Sequence, residues 1–139
     1  MQQSVDRETA SPEATCAGVL LVEDDPDIRE TVRDLLVDEG FTVQTAINGK
    51  HGIEVLEKIG QPCLILLDMM MPVLDGAGFL AALRGRPFGN IPVVVVSAVA
   101  SRSEPGTVGF IRKPLDLDVL LEVVHQYCKH PPAPVTLPV

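Results

Sequence analysis

Polar side chains follow short apolar runs at several points of this chain, at positions where they could act together. They are Glu23 and Asp24 after run 19–22, Asp68 after run 63–67, Ser97 after run 92–96, and Lys113 close after run 108–111. If the runs are parallel strands, these side chains meet at the carboxyl edge of one sheet. Carboxylates gathered there repel one another by about 4 kcal/mol per pair at roughly 4 Å and an effective dielectric of about 20, so the cluster requires a cation.

The carboxylates offer the oxygen ligands that Mg²⁺ prefers, and an open site leaves coordination positions for water and phosphate. Lys113 adds a fixed positive charge facing the acids, and the Ser97 hydroxyl adds a donor for an anionic oxygen. Together these residue types predict a pocket that binds a phosphoryl group beside Mg²⁺.

Each of these residues also has a purely structural interpretation. The pair Asp25-Pro26 is typical of a helix start, with the aspartate as N-cap and the proline in the first turn. A lone serine such as Ser97 is most often a satisfied loop hydroxyl, and a lone lysine such as Lys113 is most often solvated. Asp68 is harder to explain in this way, because a carboxylate that ends a buried strand costs free energy without a partner. The joint order of the residues therefore favours a functional site.

The apolar runs read as strands of a parallel sheet, because Val, Ile and Leu follow one another without polar alternation. Runs 19–22, 63–67 and 92–96 have this pattern, 41–45 alternates, and 108–111 follows turn residues. Helical spacing fills segments 28–36, 48–59, 75–84 and 116–128. The alternation predicts an α/β fold with a single five-stranded parallel sheet, doubly wound in the flavodoxin-like manner.

The connection between the fourth and fifth runs departs from this alternation. Ser101, Ser103, Pro105 and Gly106 leave little room for a helix there. We expect a loop or one turn, so that the fourth helix of the fold is shortened or missing.

The composition indicates one globular domain with short tails. With 46% hydrophobic and 22% charged residues, the 139-residue chain can bury one core. We place the domain at residues 18–129, a flexible N-terminal tail at 1–17, and a proline-rich tail or linker start at 130–139. A net charge of -8 disfavours nucleic acid and anionic membrane as partners, and no apolar run approaches the roughly 20 residues that span a bilayer. Three cysteines without close pairing favour a reducing, cytoplasmic location.

Four ordered motifs resemble the receiver domain of bacterial two-component response regulators. They are VLLVEDD at 19–25, LLDMMMP at 66–72 with Asp75-Gly76 after it, VVSA at 95–98, and FIRKP at 110–114. The resemblance covers about residues 18–129 and implies a CheY-like fold. It implies that Asp68 is the phosphoacceptor and that Mg²⁺ is held by Glu23, Asp24, Asp68 and the main-chain carbonyl of Met70. It also implies that the Ser97 hydroxyl and the Lys113 ammonium contact the phosphoryl group.

The reaction implied by the resemblance is phosphoryl transfer from a sensor histidine kinase or a histidine phosphotransfer protein to Asp68, followed by hydrolysis of the acyl phosphate. In this family the aromatic residue of the fifth strand, here Phe110, turns inward on phosphorylation; Phe110 is equally compatible with a place in the core. The positions that tune phosphate lifetime fall on Met70 and Val99. Neither side chain can hold an attacking water, so slow self-hydrolysis is predicted. The domain would then be a signalling phosphoacceptor that switches a partner or an output interaction, and not a turnover enzyme.

Two other interpretations fit the sequence. A receiver-like scaffold that works without phosphorylation is compatible with the short fourth connection, and a Mg²⁺-dependent phosphohydrolase would use the same carboxylates and lysine. The phosphohydrolase is less favoured, because Met70 stands where such an enzyme normally has a second aspartate as general acid. The chain lacks the glycine-rich loops of nucleotide-binding domains, and His51, His125 and His130 lack the spacing of a zinc site.

Overall fold

A computed structural model of the chain describes residues 18–71, 73–88, 90–98 and 106–128, in which strands and helices alternate. The strands are β1 (Val19–Val22), β2 (Val43–Ala46), β3 (Leu64–Asp68), β4 (Val93–Ser97) and β5 (Gly109–Arg112). The helices are α1 (Pro26–Asp38), α2 (Gly49–Ile59), α3 (Gly76–Arg84) and α4 (Leu117–Tyr127).

Neighbouring strands are parallel, and their order across the sheet is β2-β1-β3-β4-β5. This is the order of flavodoxin-like and CheY-like doubly wound sheets, in which ligands bind at the carboxyl ends where the strand order reverses. The predicted fold class is therefore confirmed. β1, β3 and β4 are buried along their whole length, as expected for strands that helices cover on both faces.

Alternate residues of the central strands point into two apolar layers. One layer lies against α1 and α4, and its strand residues include Leu21, Leu66 and Val96. The other lies against α2 and α3 and includes Leu20 and Ile65. Because both layers are filled from the same strands, the carboxyl edge of the sheet is held from both faces.

The start of α1 agrees with the predicted cap. Asp25 caps α1, since its Oδ1 accepts N–H bonds from Asp27 at 2.9 Å and Ile28 at 3.3 Å, and Pro26 occupies the first turn. The other helices begin after acceptor side chains of Asn48, Asp75 and Asp116. The capping interpretation of Asp25 is confirmed.

β2 begins two residues later than the predicted strand. Phe41 lies before it, with its N–H donating to the Leu36 carbonyl at 3.0 Å beyond the end of α1. The Phe41 ring packs into the layer between the sheet and α1 and α4. Phe41 is therefore apolar because it packs at the C-terminal end of α1, and not because it belongs to a strand.

Several predicted segments fall wholly or mainly outside the described residues. These are the tails at 1–17 and 130–139 and most of the connection after β4, at 99–105. The described part of the chain contains four helices, the last of which follows β5. None of these four helices combines the length and the apolarity that crossing a bilayer requires.

Candidate functional site

Two acids of adjacent central strands lie side by side at the carboxyl edge. Asp68 is the last residue of β3, and Glu23 directly follows β1. The register pairs Val22 with Leu67, so the next residue along each strand is an acid. The Glu23 N–H still donates to the Ala46 carbonyl at 3.0 Å, which keeps Glu23 in line with the sheet. Parallel pairing thus delivers two carboxylates to one place.

Asp24 completes a cluster of three carboxylates. One oxygen from each of Glu23, Asp24 and Asp68 lies within 4.8 Å of the others. Glu23 is 2% exposed and Asp68 is 4% exposed, whereas Asp24 is partly exposed. Hard oxygen donors with one side open to solvent are the donor set that suits a divalent cation such as Mg²⁺.

Lys113 faces this cluster. Its Nζ lies 3.3 Å from Glu23 Oε1 and 3.6 Å from Asp68 Oδ1, and the lysine side chain is 18% exposed. The Lys113 N–H donates to the Ser97 carbonyl at 2.9 Å, which joins the end of β5 to the end of β4, and the Lys113–Pro114 peptide bond is cis. The alternative that Lys113 is an ordinary solvated lysine is therefore wrong.

Ser97 is the last residue of β4 and lies one strand away from Asp68. The register pairs Asp68 with Val96, and Ser97 is 4% exposed. Ser97 is thus a buried strand residue at the same edge as the acids, and not the loop hydroxyl that a lone serine suggests.

Phe110, within β5, and Met70, in the turn after β3, both have exposed side chains. Phe110 is 40% exposed, whereas the next residue, Ile111, is buried in the layer with α1 and α4. The alternative that Phe110 is a core residue is therefore wrong. The Met70 side chain is 67% exposed, and its main-chain N–H donates to Asp68 Oδ1 at 3.1 Å. The turn after β3 therefore contacts the Asp68 carboxylate through its backbone.

The electrostatics of the cluster favour an added positive charge. The pKa of Glu23 is raised from 4.5 to about 7, first by burial and next by the negative charge of Asp68. Burial also raises the pKa of Asp68, although the Met70 N–H and the Lys113 charge oppose the change. One lysine does not balance the acids, so the site favours either a bound proton or a cation.

Sequence reasoning missed Arg29, which lies on the first turns of α1. Its Nη1 donates to the Glu23 carbonyl at 3.0 Å and to the Asp24 carbonyl at 3.3 Å. The sequence signal is an arginine six residues after Glu23 and five after Asp24, which is too common a pattern to mark a site by itself.

A second missed feature is the packing of α2 on the turn after β3. The Gly49 N–H donates to the Leu74 carbonyl at 3.0 Å, and a Cβ on Gly49 would lie 2.4 Å from that oxygen. In the same turn Val73 has a φ of 70°, which is rare for a β-branched residue. Only Gly49 carries a sequence signal, as a glycine directly after a helix cap.

Comparison with known proteins agrees with this geometry. A family model described as the response regulator receiver domain matches residues 19–125. An uncharacterized 14.6 kDa protein from the sodA1 3′ region of Leptolyngbya boryana is 34% identical over 117 residues, which cover 79% of this chain and 88% of that protein. The probable C4-dicarboxylate response regulator DctR of Bacillus subtilis is 34% identical over 117 residues, which cover 78% of this chain and 51% of DctR. This chain thus spans about half the length of DctR.

Solved structures show the same similarity. The crystal structure of the response regulator protein TrrA from Thermotoga maritima, in complex with Mg²⁺–BeF, matches with a TM-score of 0.70 at 26% identity. The match covers 78% of this chain and 96% of that one.

Proposed function

Because this chain belongs to the response regulator receiver family, we propose that its Asp68 carboxylate accepts a phosphoryl group from a sensor histidine kinase or a histidine phosphotransfer protein. The observation that carries this proposal is the convergence of an acid cluster and the Lys113 ammonium on one buried carboxylate. An ordinary buried aspartate needs a single partner, whereas this one has a lysine and two further acids beside it.

In the proposed reaction an Asp68 oxygen attacks the phosphorus of a phosphohistidine. The new P–O bond forms as the P–N bond breaks, and the donor imidazole keeps the electron pair of that bond. The transition state of such transfers is loose, so the protein contributes alignment and charge. Lys113 supplies a fixed positive charge 3.6 Å from Asp68 Oδ1, where negative charge must be held close to other acids.

The carboxylates of Glu23, Asp24 and Asp68 and the main-chain carbonyl of Met70 would hold Mg²⁺. The three carboxylates fit this role because their oxygens already lie together and because a cation would offset the charge of Asp68 that helps raise the pKa of Glu23. When bound, Mg²⁺ offsets the charge of the acids and of the phosphoryl oxygens. The solved complex of TrrA with Mg²⁺–BeF supports this assignment.

Ser97 and Phe110 are proposed to couple phosphorylation of Asp68 to a change at the protein surface. The Ser97 hydroxyl would donate to a phosphoryl oxygen, and Phe110 would turn inward from its exposed position. Such a change is a shift between two populated states, which phosphorylation biases by a new contact. The switch would alter the binding of a downstream protein partner.

Further proposals concern the lifetime and setting of the phosphorylated state. The exposed apolar side chain of Met70 does not hold an attacking water, which supports slow self-hydrolysis.

We propose a domain at residues 18–129 between two tails, in a cytoplasmic protein. The family's partners are phosphohistidine proteins, and neither nucleic acid nor membrane is proposed as a direct partner.

The test is intact mass after incubation with Mg²⁺ and acetyl phosphate. The wild type is expected to gain one phosphoryl mass, Asp68→Asn to gain none, and the control Asp34→Asn, an exposed acid of α1, to gain as much as the wild type. An unmodified wild type would favour the scaffold, and many turnovers of phosphate release from a simple ester would favour the phosphohydrolase. Either result would overturn the proposal.

A further inference from the structure

Arg29 binds the backbone of the turn that carries two of the clustered acids. Its Nη1 donates to the carbonyl of Glu23 at 3.0 Å and to that of Asp24 at 3.3 Å. Its main-chain N–H donates to the carbonyl of Asp25 at 2.9 Å. Three consecutive carbonyls of the β1–α1 turn thus accept hydrogen bonds from one residue.

The turn needs such donors because Glu23, whose N–H still donates to the Ala46 carbonyl, lies just beyond the paired residues of β1. The last residue of β1 in register with its neighbours is Val22, so the strand ladder ends before the carbonyls of Glu23 and Asp24. A peptide carbonyl that is withdrawn from water without a donor is costly. The guanidinium suits the task, since it stays charged and one of its nitrogens can serve two acceptors.

The same turn fixes the Glu23 carboxylate directly. The Asp25 N–H donates to Glu23 Oε2 at 3.2 Å, while Oε1 of the same carboxylate lies 3.3 Å from Lys113 Nζ. A change in the path of the turn would therefore move the Glu23 side chain as well as its backbone. The acids repel one another, so without restraint the turn would relax away from Asp68.

We propose that Arg29 is a positioning residue for the cation site. It holds the β1–α1 turn so that the carboxylates of Glu23 and Asp24 stay beside Asp68 before a cation binds. This inference rests on the proposed function, because it presupposes that these acids bind Mg²⁺.

The test compares Mg²⁺ binding to the full chain by calorimetry. Arg29→Gln is expected to weaken binding about ten- to a hundredfold, the range typical of groups that orient metal ligands. Arg29→Lys keeps a cationic donor and is expected to bind with intermediate affinity. The matched control is Arg33→Gln, one turn further along α1, where the arginine is 46% exposed and contacts Asp34 at 3.1 Å. The control is expected to bind within twofold of the wild type.

A second measurement separates positioning from a merely structural role. In EDTA, exchange of the Asp25 amide hydrogen is expected to be about tenfold faster in Arg29→Gln than in Arg33→Gln, while the two melting temperatures stay close. If Arg29→Gln does not fold, Arg29→Lys supplies the same comparison.

The outcomes distinguish the two proposals. If the wild type binds Mg²⁺ and Arg29→Gln binds it within twofold of the control, only the present inference is overturned. If the Asp25 amide hydrogen exchanges equally fast in Arg29→Gln and in Arg33→Gln, the present inference is likewise overturned. If the wild type does not bind Mg²⁺, the proposed function is overturned and this inference falls with it.

Discussion

The two halves of the sheet's carboxyl edge are held in different ways. In the β1–β3 half, Glu23 and Asp68 are nearly fully buried, and hydrogen bonds between side chains and main chain fix the turn from Glu23 to α1. In the β4–β5 half, Lys113 reaches the acids through a long side chain, and Phe110 leaves one face of β5 exposed. The first half is buried and tied by several short-range hydrogen bonds, whereas the second is partly exposed and reaches the acids through one long side chain.

This difference follows from the position of the strands. β3 has a strand on each side, whereas β5 pairs with β4 alone among the described strands. Segments with fewer buried contacts open locally at a lower free energy. The comparison predicts a fixed acidic half and a β5 half that can respond to a ligand.

The largest expected effect comes from Lys113, which belongs to the β4–β5 half and whose ammonium lies beside the acids of the other half. Lys113→Ala is expected to slow phosphorylation by acetyl phosphate about 10²- to 10³-fold, as is typical when a preorganised group is removed from a developing anion. Rates of mass gain measure the effect. Lys50→Ala, which removes an exposed lysine of α2, should leave the rate unchanged. Equal rates in both variants would show that Lys113 only balances the acids at rest.

A pair of substitutions on β5 measures how unequally its two faces are covered. Ile111→Ala should lower the free energy of unfolding by about 3 kcal/mol, because Ile111 is 5% exposed and packs in the layer with α1 and α4. Phe110→Ala, although it deletes a larger side chain, should cost less than about 1 kcal/mol at a 40% exposed position. Urea denaturation of both variants gives the two values, and equal losses would contradict the described difference.

The fixed half predicts a pH dependence of stability in EDTA. The pKa of Glu23 is about 7 in the folded protein against an ordinary 4.5, so the folded state holds more protons between these pH values. The free energy of unfolding should therefore fall as pH rises from 4.5 to 7, by about 3 kcal/mol from this group.

Denaturation curves at several pH values check this dependence. Glu23→Gln should flatten it, the exposed control Glu54→Gln should not, and Mg²⁺ should restore stability above pH 7. A wild type that becomes steadily more stable from pH 4.5 to 7 would contradict the assignment.

The smallest expected effect is on the turn that follows Asp68. Val73 is 75% exposed and has a φ of 70°, so its side chain gains little from packing while its backbone is strained. Val73→Asn should raise the free energy of unfolding by about 1 kcal/mol, because asparagine tolerates this conformation. Thermal or urea denaturation measures the gain, and a loss of stability would show that the valine packs usefully.

The sequence predicts the parts of this molecule that depend on local patterns. The unbroken apolar runs predict the strands, and parallel pairing then brings Glu23, Asp24 and Asp68 together. The cap at Asp25 follows from the preference of short polar side chains for exposed amides at helix starts.

Other features depend on how side chains point across a turn, which no spacing rule specifies. The contacts of Arg29 with two carbonyls and of Lys113 with Glu23 as well as Asp68 belong to this class. The exposure of Phe110 depends on what covers one face of β5. The positive φ of Val73 could not be predicted from the sequence, because β-branched residues rarely adopt this conformation.

The close approach of Gly49 to Leu74 has a consequence for redesign. Because a single methyl group on Gly49 would overlap the Leu74 carbonyl, a side chain at this position would displace α2 and the turn after Asp68 from each other. A library that varies position 49 would therefore perturb the geometry around Asp68 without touching an acid. Engineers who wish to change the surface of α2 alone should leave this glycine in place and begin with the outward-facing Lys50 and Glu54.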